Sequence, residues 1–262
     1  MYSFEVDKPD SVDAAVSALA VEDALALGGG QTLIPTLKQR LASPSRLVSL
    51  TGIAGMKGVS SADGVVTIGG GTTHARVAVE AAPAYPALAA LAGNIGDPAV
   101  RNRGTIGGSL ANNDPAACYP SAALASGATI VTNAREIAAD DYFQGMFTTA
   151  LEEGEVITSI RFPVPEAADY QKFEQPASRF ALVGVFVARF ADGVRVAVTG
   201  ASEEGVFRWS EAEAALTGSF AADAIDGLSL SGDGMISDLH GTGDYRAHIV
   251  KVMTRRAVRA AG

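Results

Sequence analysis

Two glycine-rich turns restrict what this chain can fold into. One is Gly28-Gly29-Gly30-Gln31-Thr32-Leu33-Ile34-Pro35; the other is Thr105-Ile106-Gly107-Gly108-Ser109, inside a long run from Asn94 to Pro120. Glycine permits φ > 0 and removes the Cβ that blocks close backbone approach. Successive bare N–H groups in such turns form anion-binding nests. Neither turn holds a lysine, so backbone rather than side-chain charge must do the binding. Two such nests can grip one long, doubly charged ligand, such as a dinucleotide, from two sides.

The flanking patterns support this reading. Asp10 to Leu19 reads as a helix capped by Ser11, with Ala15, Val16 and Leu19 on one stripe. Ala24 to Leu27 reads as a strand feeding the first turn. Leu33 to Leu41 reads as a helix that tolerates Pro35 in its first turn. A helix start offers unpaired N–H groups and about half a positive charge, both suited to phosphate. The turn is neither a P-loop nor a Rossmann fingerprint, because both spacings are absent. A flexible loop remains the alternative reading of three glycines. Further strands are expected at Arg46–Leu50, Val65–Ile68 and Thr129–Thr132. Helices are expected from Thr72 or Thr73 to Ala81 and from Tyr85 to Leu91. His74 reads as a polar residue at a helix start, with a ligand contact as the alternative.

A boundary is expected near Arg161-Phe162-Pro163-Val164-Pro165, because two prolines disfavour both a helix and a central strand. Beyond it, Tyr170–Gln175, Phe180–Phe190 and Val194–Gly200 read as consecutive strands, with Asp192-Gly193 as a hairpin turn. Helices follow at Ser210–Leu216 and Tyr245–Arg259. The last carries Tyr245, Ile249, Val252 and Met253 on one side. Arg246, Arg255 and Arg259 on the other read as a solvated basic face.

Charge and cysteine usage exclude several functions. A net charge of −9 opposes non-specific binding to nucleic acid or anionic membrane. Cys118 is the only cysteine, so the chain forms no internal disulfide and holds no four-cysteine iron–sulfur cluster. His74, His240 and His248 show no metal spacing. Any redox metal must therefore sit on another chain. The start shows no signal-peptide pattern and no apolar run reaches membrane-spanning length, so the reading is a cytoplasmic protein. The run from Asn94 to Pro120 does not alternate as a strand would. Loops of that length without a function are uncommon in compact domains.

Taken together, these residues resemble a known family. Ala26-Leu27-Gly28-Gly29-Gly30-Gln31-Thr32-Leu33-Ile34-Pro35 resembles the first flavin-binding motif of the FAD subunit of molybdenum hydroxylases. Arg101-Asn102-Arg103-Gly104-Thr105-Ile106-Gly107-Gly108-Ser109, with Asn113-Asp114-Pro115-Ala116-Ala117, resembles the second. The family includes the medium subunit of aerobic carbon monoxide dehydrogenase and the flavin domain of xanthine dehydrogenase. The likeness runs across nearly the whole chain, and Gly70-Gly71-Thr72-Thr73-His74 and the closing helix share in it.

The resemblance implies an α+β architecture of the vanillyl-alcohol-oxidase type. Two α/β subdomains, about 1–55 and 56–162, would clasp FAD, and 163–262 would form a C-terminal domain of a small antiparallel sheet and helices. It implies an electron-transfer subunit with no catalytic acid–base set and no metal. Partners would be a molybdenum cofactor-binding large subunit and a small subunit with 2Fe–2S clusters, assembled as a dimer of heterotrimers. Gly28, Gly29, Gly30, Gln31, Thr32 and Leu33 would wrap the pyrophosphate from one side. Thr105, Ile106, Gly107, Gly108 and Ser109 would do so from the other. Asn112 and Asp114 would lie toward the ribose and adenine, with Cys118 near them, where many relatives carry an acid. Cysteine is a poorer acceptor there, so the turns would retain FAD. Phe180 would cover the ring, or be a strand core residue. Two other readings stay open: a stand-alone flavin oxidase and a cofactor-free assembly protein of the same fold.

Overall fold

Ser11 starts the first helix by accepting the Ala14 N–H at 3.3 Å, which satisfies one orphan donor of a helix start. In the computed structural model, which describes all 262 residues, β1 (Glu5–Asp7) is followed by that helix, α1 (Val12–Leu19), and by β2 (Ala24–Leu27). Helix α2 (Leu33–Lys38) and β3 (Arg46–Ser49) complete a parallel sheet in the order β1-β3-β2. Helix α2 stops short of the expected Leu41. Arg40 takes a left-handed φ of 61°, and the Leu41 N–H turns back to the Thr36 carbonyl at 3.1 Å. That is a Schellman-type ending with arginine in the place glycine usually holds.

The middle of the chain builds β4 (Val59–Ala62), β5 (Val65–Gly69), α3 (His74–Glu80), α4 (Pro86–Gly93), α5 (Pro98–Arg101), α6 (Ile106–Asn112) and α7 (Tyr119–Ser126). It continues with β6 (Thr129–Thr132), β7 (Glu136–Ala138), α8 (Ala139–Tyr142), β8 (Phe143–Gly145), β9 (Thr148–Thr149) and β10 (Ile157–Pro163). The sheet order is β4-β5-β10-β6-β7. The prolines near 163 were expected to disfavour a central strand, yet β10 is the central strand, with Ile160 opposite both Ile68 and Ile130. The rule is satisfied locally. Pairing with β6 ends at Arg161↔Thr129, so Pro163 has a neighbour only on the β5 side and removes no ladder bond from β6.

The run from Asn94 to Pro120 also differs from the irregular loop its composition suggested. It holds α5, α6 and the start of α7. Helices of four and seven residues are too short to show an apolar period. Helix α7 is buried on every side, which erases the periodic contrast of an amphipathic helix.

The C-terminal part is a meander of β11 (Ala167–Glu174), β12 (Ala181–Phe190), β13 (Gly193–Ser202) and β14 (Gly205–Arg208), followed by α9 (Ser210–Gly218) and α10 (Gly243–Ala261). Strand β12 is buried from Ala181 to Ala188, because both its faces are covered. Val183, Val185 and Val187 share a core with Ile249, Val250 and Met253 of α10. Phe186 and Ala188 face the other way, into the core of Leu88, Tyr119 and Ala123. The sheet is thus welded to α4 and α7 through alternate residues. No helix is long and apolar enough to cross a membrane.

Arg246 does not belong to a solvated basic face. It is 2% exposed. Its Nη1 donates to the carbonyls of Leu182 and Gly200, both at 2.8 Å, and its Nη2 to Asp238 at 2.8 Å. These carbonyls lie just past the last pair of the β12–β13 ladder, Gly184↔Thr199. Only a buried donor can satisfy them. Arg246→Leu should cost about 1.5–3 kcal/mol for each of the two carbonyls left unpaired, read as a lower urea midpoint at unchanged slope. An unchanged midpoint would show that the guanidinium is dispensable.

Candidate functional site

The first glycine turn is open to a ligand in a way its backbone bonds make plain. The N–H groups of Gly28, Gly29, Gly30, Gln31, Thr32 and Leu33 donate to no atom of the protein, although the Gly30 and Thr32 carbonyls accept from Ile34 and Thr36 at 3.1 and 3.2 Å. Six consecutive amides therefore line the end of β2 and the start of α2 without partners. Gly30 has φ +76°, a left-handed turn that glycine adopts at no steric cost.

The second turn works differently. The Ile106 N–H bonds the Thr72 carbonyl at 3.1 Å, the Gly107 N–H bonds the Gly70 carbonyl at 2.9 Å, and the Ser109 N–H bonds the Thr105 carbonyl at 3.0 Å. The Gly108 N–H bonds Thr105 Oγ1 at 3.2 Å. The expectation of a second open nest is thereby corrected: its amides are consumed in holding the turn against Gly70–Thr72. What remains on this side is the Thr105 N–H, the Thr105 and Ser109 hydroxyls, and the bare backbone of Gly104, Gly107 and Gly108.

The two turns touch. A Cβ on Gly29 would overlap the Arg103 carbonyl and the Gly104 Cα, and one on Gly28 would stand 3.0 Å from Thr105 Oγ1. A Cβ on Gly107 would lie 2.6 Å from the Gly70 carbonyl oxygen, and one on Gly70 would overlap the Ile157 carbonyl. Backbone packs on backbone from the first turn through the second to the five-stranded sheet.

Above this floor lies a cleft of about 660 Å³, within the usual range for small-molecule and cofactor sites. Thirteen of the candidate residues line it: Gly28 to Leu33, Thr105, Gly107, Gly108, Ser109, Asn112, Asp114 and Phe180. Ile106 does not. Its side chain is fully buried with Leu110. Phe180 stands outside β12 and is 49% exposed, so it is not a strand core residue.

The ends of the cleft are set by the C-terminal sheet. The Pro115 carbonyl accepts the Gly200 N–H at 2.7 Å. The Thr199 hydroxyl reaches the carbonyls of Pro115 and Ala117 at 2.8 and 2.7 Å. Lys172 Nζ lies 3.9 Å from Cys118 Sγ, and two residues further along β11 Glu174 pairs with Ala181. Strand β11 thus leads from the Pro115–Cys118 segment toward the Phe180 side of the cleft, so one strand links the two regions that the sequence reading assigned to the adenine and to the ring.

Among the other residues lining the cleft are His74, read from the sequence as a helix-start residue with a ligand contact as the alternative, Cys118, placed near the ribose and adenine, and Lys172, which the sequence reading did not single out. His74 opens α3, directly after Gly70-Gly71-Thr72-Thr73. It is 5% exposed, its Nδ1 has no partner, and it packs against Tyr119 with ring centroids 5.3 Å apart. Burial, aided by the Arg101 charge, lowers its pKa to about 4, so the ring is neutral at neutral pH. Glu155 is fixed rather than free. Arg135, the Glu152 N–H and Thr132 hold its carboxylate at about 2. Asp114 Oδ1 accepts the Ala116 N–H at 2.9 Å, an Asx turn that shapes the loop. The cleft therefore offers backbone donors, hydroxyls and an apolar lining, and its chemistry is binding and orientation.

The His74 shift has a testable consequence. Between about pH 6.5 and 4 the unfolded chain binds a proton at this ring and the folded chain does not, so stability falls as pH drops through that window. The loss is about 3 kcal/mol for the unliganded chain. His74→Asn should flatten the acid limb of stability against pH by that amount. Parallel curves for the two proteins would contradict the buried neutral ring.

Comparison with known proteins gives consistent matches. Residues 2–165 match the family model described as the FAD binding domain in molybdopterin dehydrogenase. The nicotine 6-hydroxylase medium subunit of Paenarthrobacter nicotinovorans is 35% identical over 97% of this chain and 95% of its own. The carbon monoxide dehydrogenase medium chain of Afipia carboxidovorans is 35% identical over 99% of this chain and 96% of its own. The crystal structure of quinoline 2-oxidoreductase from Pseudomonas putida 86 superposes with a TM-score of 0.89 at 30% identity, covering 99% of this chain and 96% of that one.

Proposed function

The chain belongs to the family of FAD-binding domains in molybdopterin dehydrogenases, and from that premise we propose that it is the electron-transfer flavoprotein subunit of a molybdenum hydroxylase complex. It is an oxidoreductase subunit, and FAD is its cofactor. The partners of this reading are a molybdenum cofactor-binding large subunit and a small subunit with 2Fe–2S clusters, assembled as a dimer of heterotrimers in the cytoplasm. The single cysteine, Cys118, puts any cluster on another chain. Residues 1–162 would carry the cofactor and 163–262 would close the cleft.

The observation that carries this reading is the row of six unpartnered amides from Gly28 to Leu33, opposed by a second turn packed so closely that Gly107 admits no Cβ. Bare amides suit a pyrophosphate, and each charge-assisted hydrogen bond contributes about 1.5–3 kcal/mol. The Thr105 and Ser109 hydroxyls would donate from the opposite side. Phe180, on the side to which β11 leads from Pro115–Cys118, would cover the ring by apolar contact. The ring would then lie beside Cys118, not the adenine. When bound, FAD supplies the electron chemistry, taking electrons from the clusters and passing them to an external acceptor. The protein positions the cofactor and limits water around it. Arg135, Thr132 and the Glu152 N–H keep the Glu155 carboxylate occupied, so this wall adds no general base.

The direct test is the absorbance spectrum of the purified chain, with acid release and identification of any flavin. A stoichiometric flavin released as FAD supports the reading. A protein that stays colourless after incubation with FAD would sink it for the isolated subunit. Gly29→Ala should weaken FAD binding at least tenfold, because the new methyl must push the Arg103–Gly104 backbone away. Gly55→Ala, where a Cβ meets nothing within 4 Å, should leave the affinity unchanged. Equal affinities for the two variants would contradict the packed-turn account.

A further inference from the structure

The Phe180 end of the cleft holds a cation that no carboxylate pairs with. Lys172 lines the cleft from β11. Its Nζ donates to the Asn94 carbonyl at 2.8 Å and stands 3.9 Å from Cys118 Sγ. It takes part in none of the chain's ion pairs. Cys118 is 5% exposed and also lines the cleft. Burial pushes its thiol pKa up, against the opposing pull of Lys172, so the sulfur keeps its proton at neutral pH and supplies no counter-charge. Behind them the buried hydroxyl of Tyr170 has no hydrogen-bond partner. Asp114, the carboxylate that lines the cleft nearest in sequence to Cys118, is turned to the Ala116 N–H. Glu155, the other one, is tied to Arg135. Glu174, two residues along β11, is exposed and forms no ion pair; its charge reaches Cys118 and pushes the thiol pKa further up.

We propose that Lys172, left without a counter-ion by the neutral thiol of Cys118, raises the electron affinity of the flavin bound beside it. This rests on the reading that the ring lies at the Phe180 end. Reduction of the flavin by two electrons with uptake of one proton leaves one net negative charge on the ring. An opposite charge within about 4–6 Å favours the charged form of a group. In a partly closed cleft such a charge is weakly screened. An ammonium already paired with a carboxylate would have much of this field cancelled. A protonated thiol cancels none of it. Cys118 is thus a positioning neighbour whose neutrality leaves the Lys172 charge available to the cofactor.

The test is the midpoint potential of FAD on the full chain, measured by dye-coupled reductive titration, with FAD affinity measured alongside. Lys172→Met removes the cation and Cys118→Asp supplies the missing counter-ion. Each should lower the potential by at least the equivalent of a tenfold change in the equilibrium, about 30 mV for a two-electron couple. Cys118→Ser, neutral and similar in size, should leave it in place, as should Lys172→Arg. Unchanged potentials in both Lys172→Met and Cys118→Asp, with FAD held as tightly as before, would overturn the proposal. Unchanged potentials with a tenfold weaker FAD affinity would overturn the ring placement instead, since the cation would then serve the phosphate or adenine end. Loss of FAD from both variants would also overturn the proposal, because a charge that only tunes the ring is not needed to hold it.

Discussion

The structure depends on backbone packed directly against backbone. Gly29 lies on Arg103–Gly104, Gly107 on Gly70, and Gly70 on Ile157. Each contact is too close for a Cβ, and each joins a different part of the chain: the parallel sheet, the helical segment after Asn94, and the five-stranded sheet. These glycines carry the usual entropic cost of ordering a flexible residue. The contacts also fix how the first sheet meets the second. Where these glycines meet, the cleft floor is backbone, so its shape there is set by the fold rather than by rotamers.

The two turns divide the work in a manner their sequences do not show. By composition they look alike, and both read as nests. The backbone separates them. The amides of the first turn have no partners, whereas those of the second are spent on Thr72, Gly70 and Thr105. The difference arises because the second turn is buried between the first and the sheet, where an unpaired N–H is costly. The first turn sits at the surface of the cleft, where its unpaired donors remain available to an anion. Donor strength and rigidity are thus supplied by different segments, which explains why a ligand of this kind needs both.

What the sequence revealed, and what it hid, follows the same logic. Ala24–Leu27, Arg46–Ser49, Thr129–Thr132 and the strand pair around Asp192-Gly193 were legible because local pattern and turn chemistry agreed with the fold. Strand β10 was hidden by Pro163, whose missing N–H matters only where a second neighbour waits. Helices α5, α6 and α7 were hidden by shortness and by burial on all sides. Arg246 looked solvated because helical periodicity cannot tell a polar face from a buried residue with three acceptors. The glycines of the cleft were legible because their spacing carries a backbone constraint. Lys172 and Cys118 were not recognisable as a pair, because 54 residues separate them and only the tertiary packing of β11 brings them together.

That last pairing shows why the C-terminal sheet belongs to the site. Arg246 locks the start of β12 and the turn at Gly200, and Gly200 with Thr199 holds Pro115 and Ala117. Helix α10 is therefore connected, through two layers of hydrogen bonds, to the segment that ends in Cys118. Lys172 stands on the neighbouring strand of the same sheet. The floor of the cleft and its charged end are consequently set by different contacts: glycine contacts fix the first, and the hydrogen bonds of the α10–β12–β13 unit fix the second. A substitution in α10 that leaves every cleft residue intact can still move the Lys172 charge relative to the Gly28–Leu33 amides. Affinity and electron affinity can on this account be altered independently, because the groups that govern them are anchored to different parts of the fold.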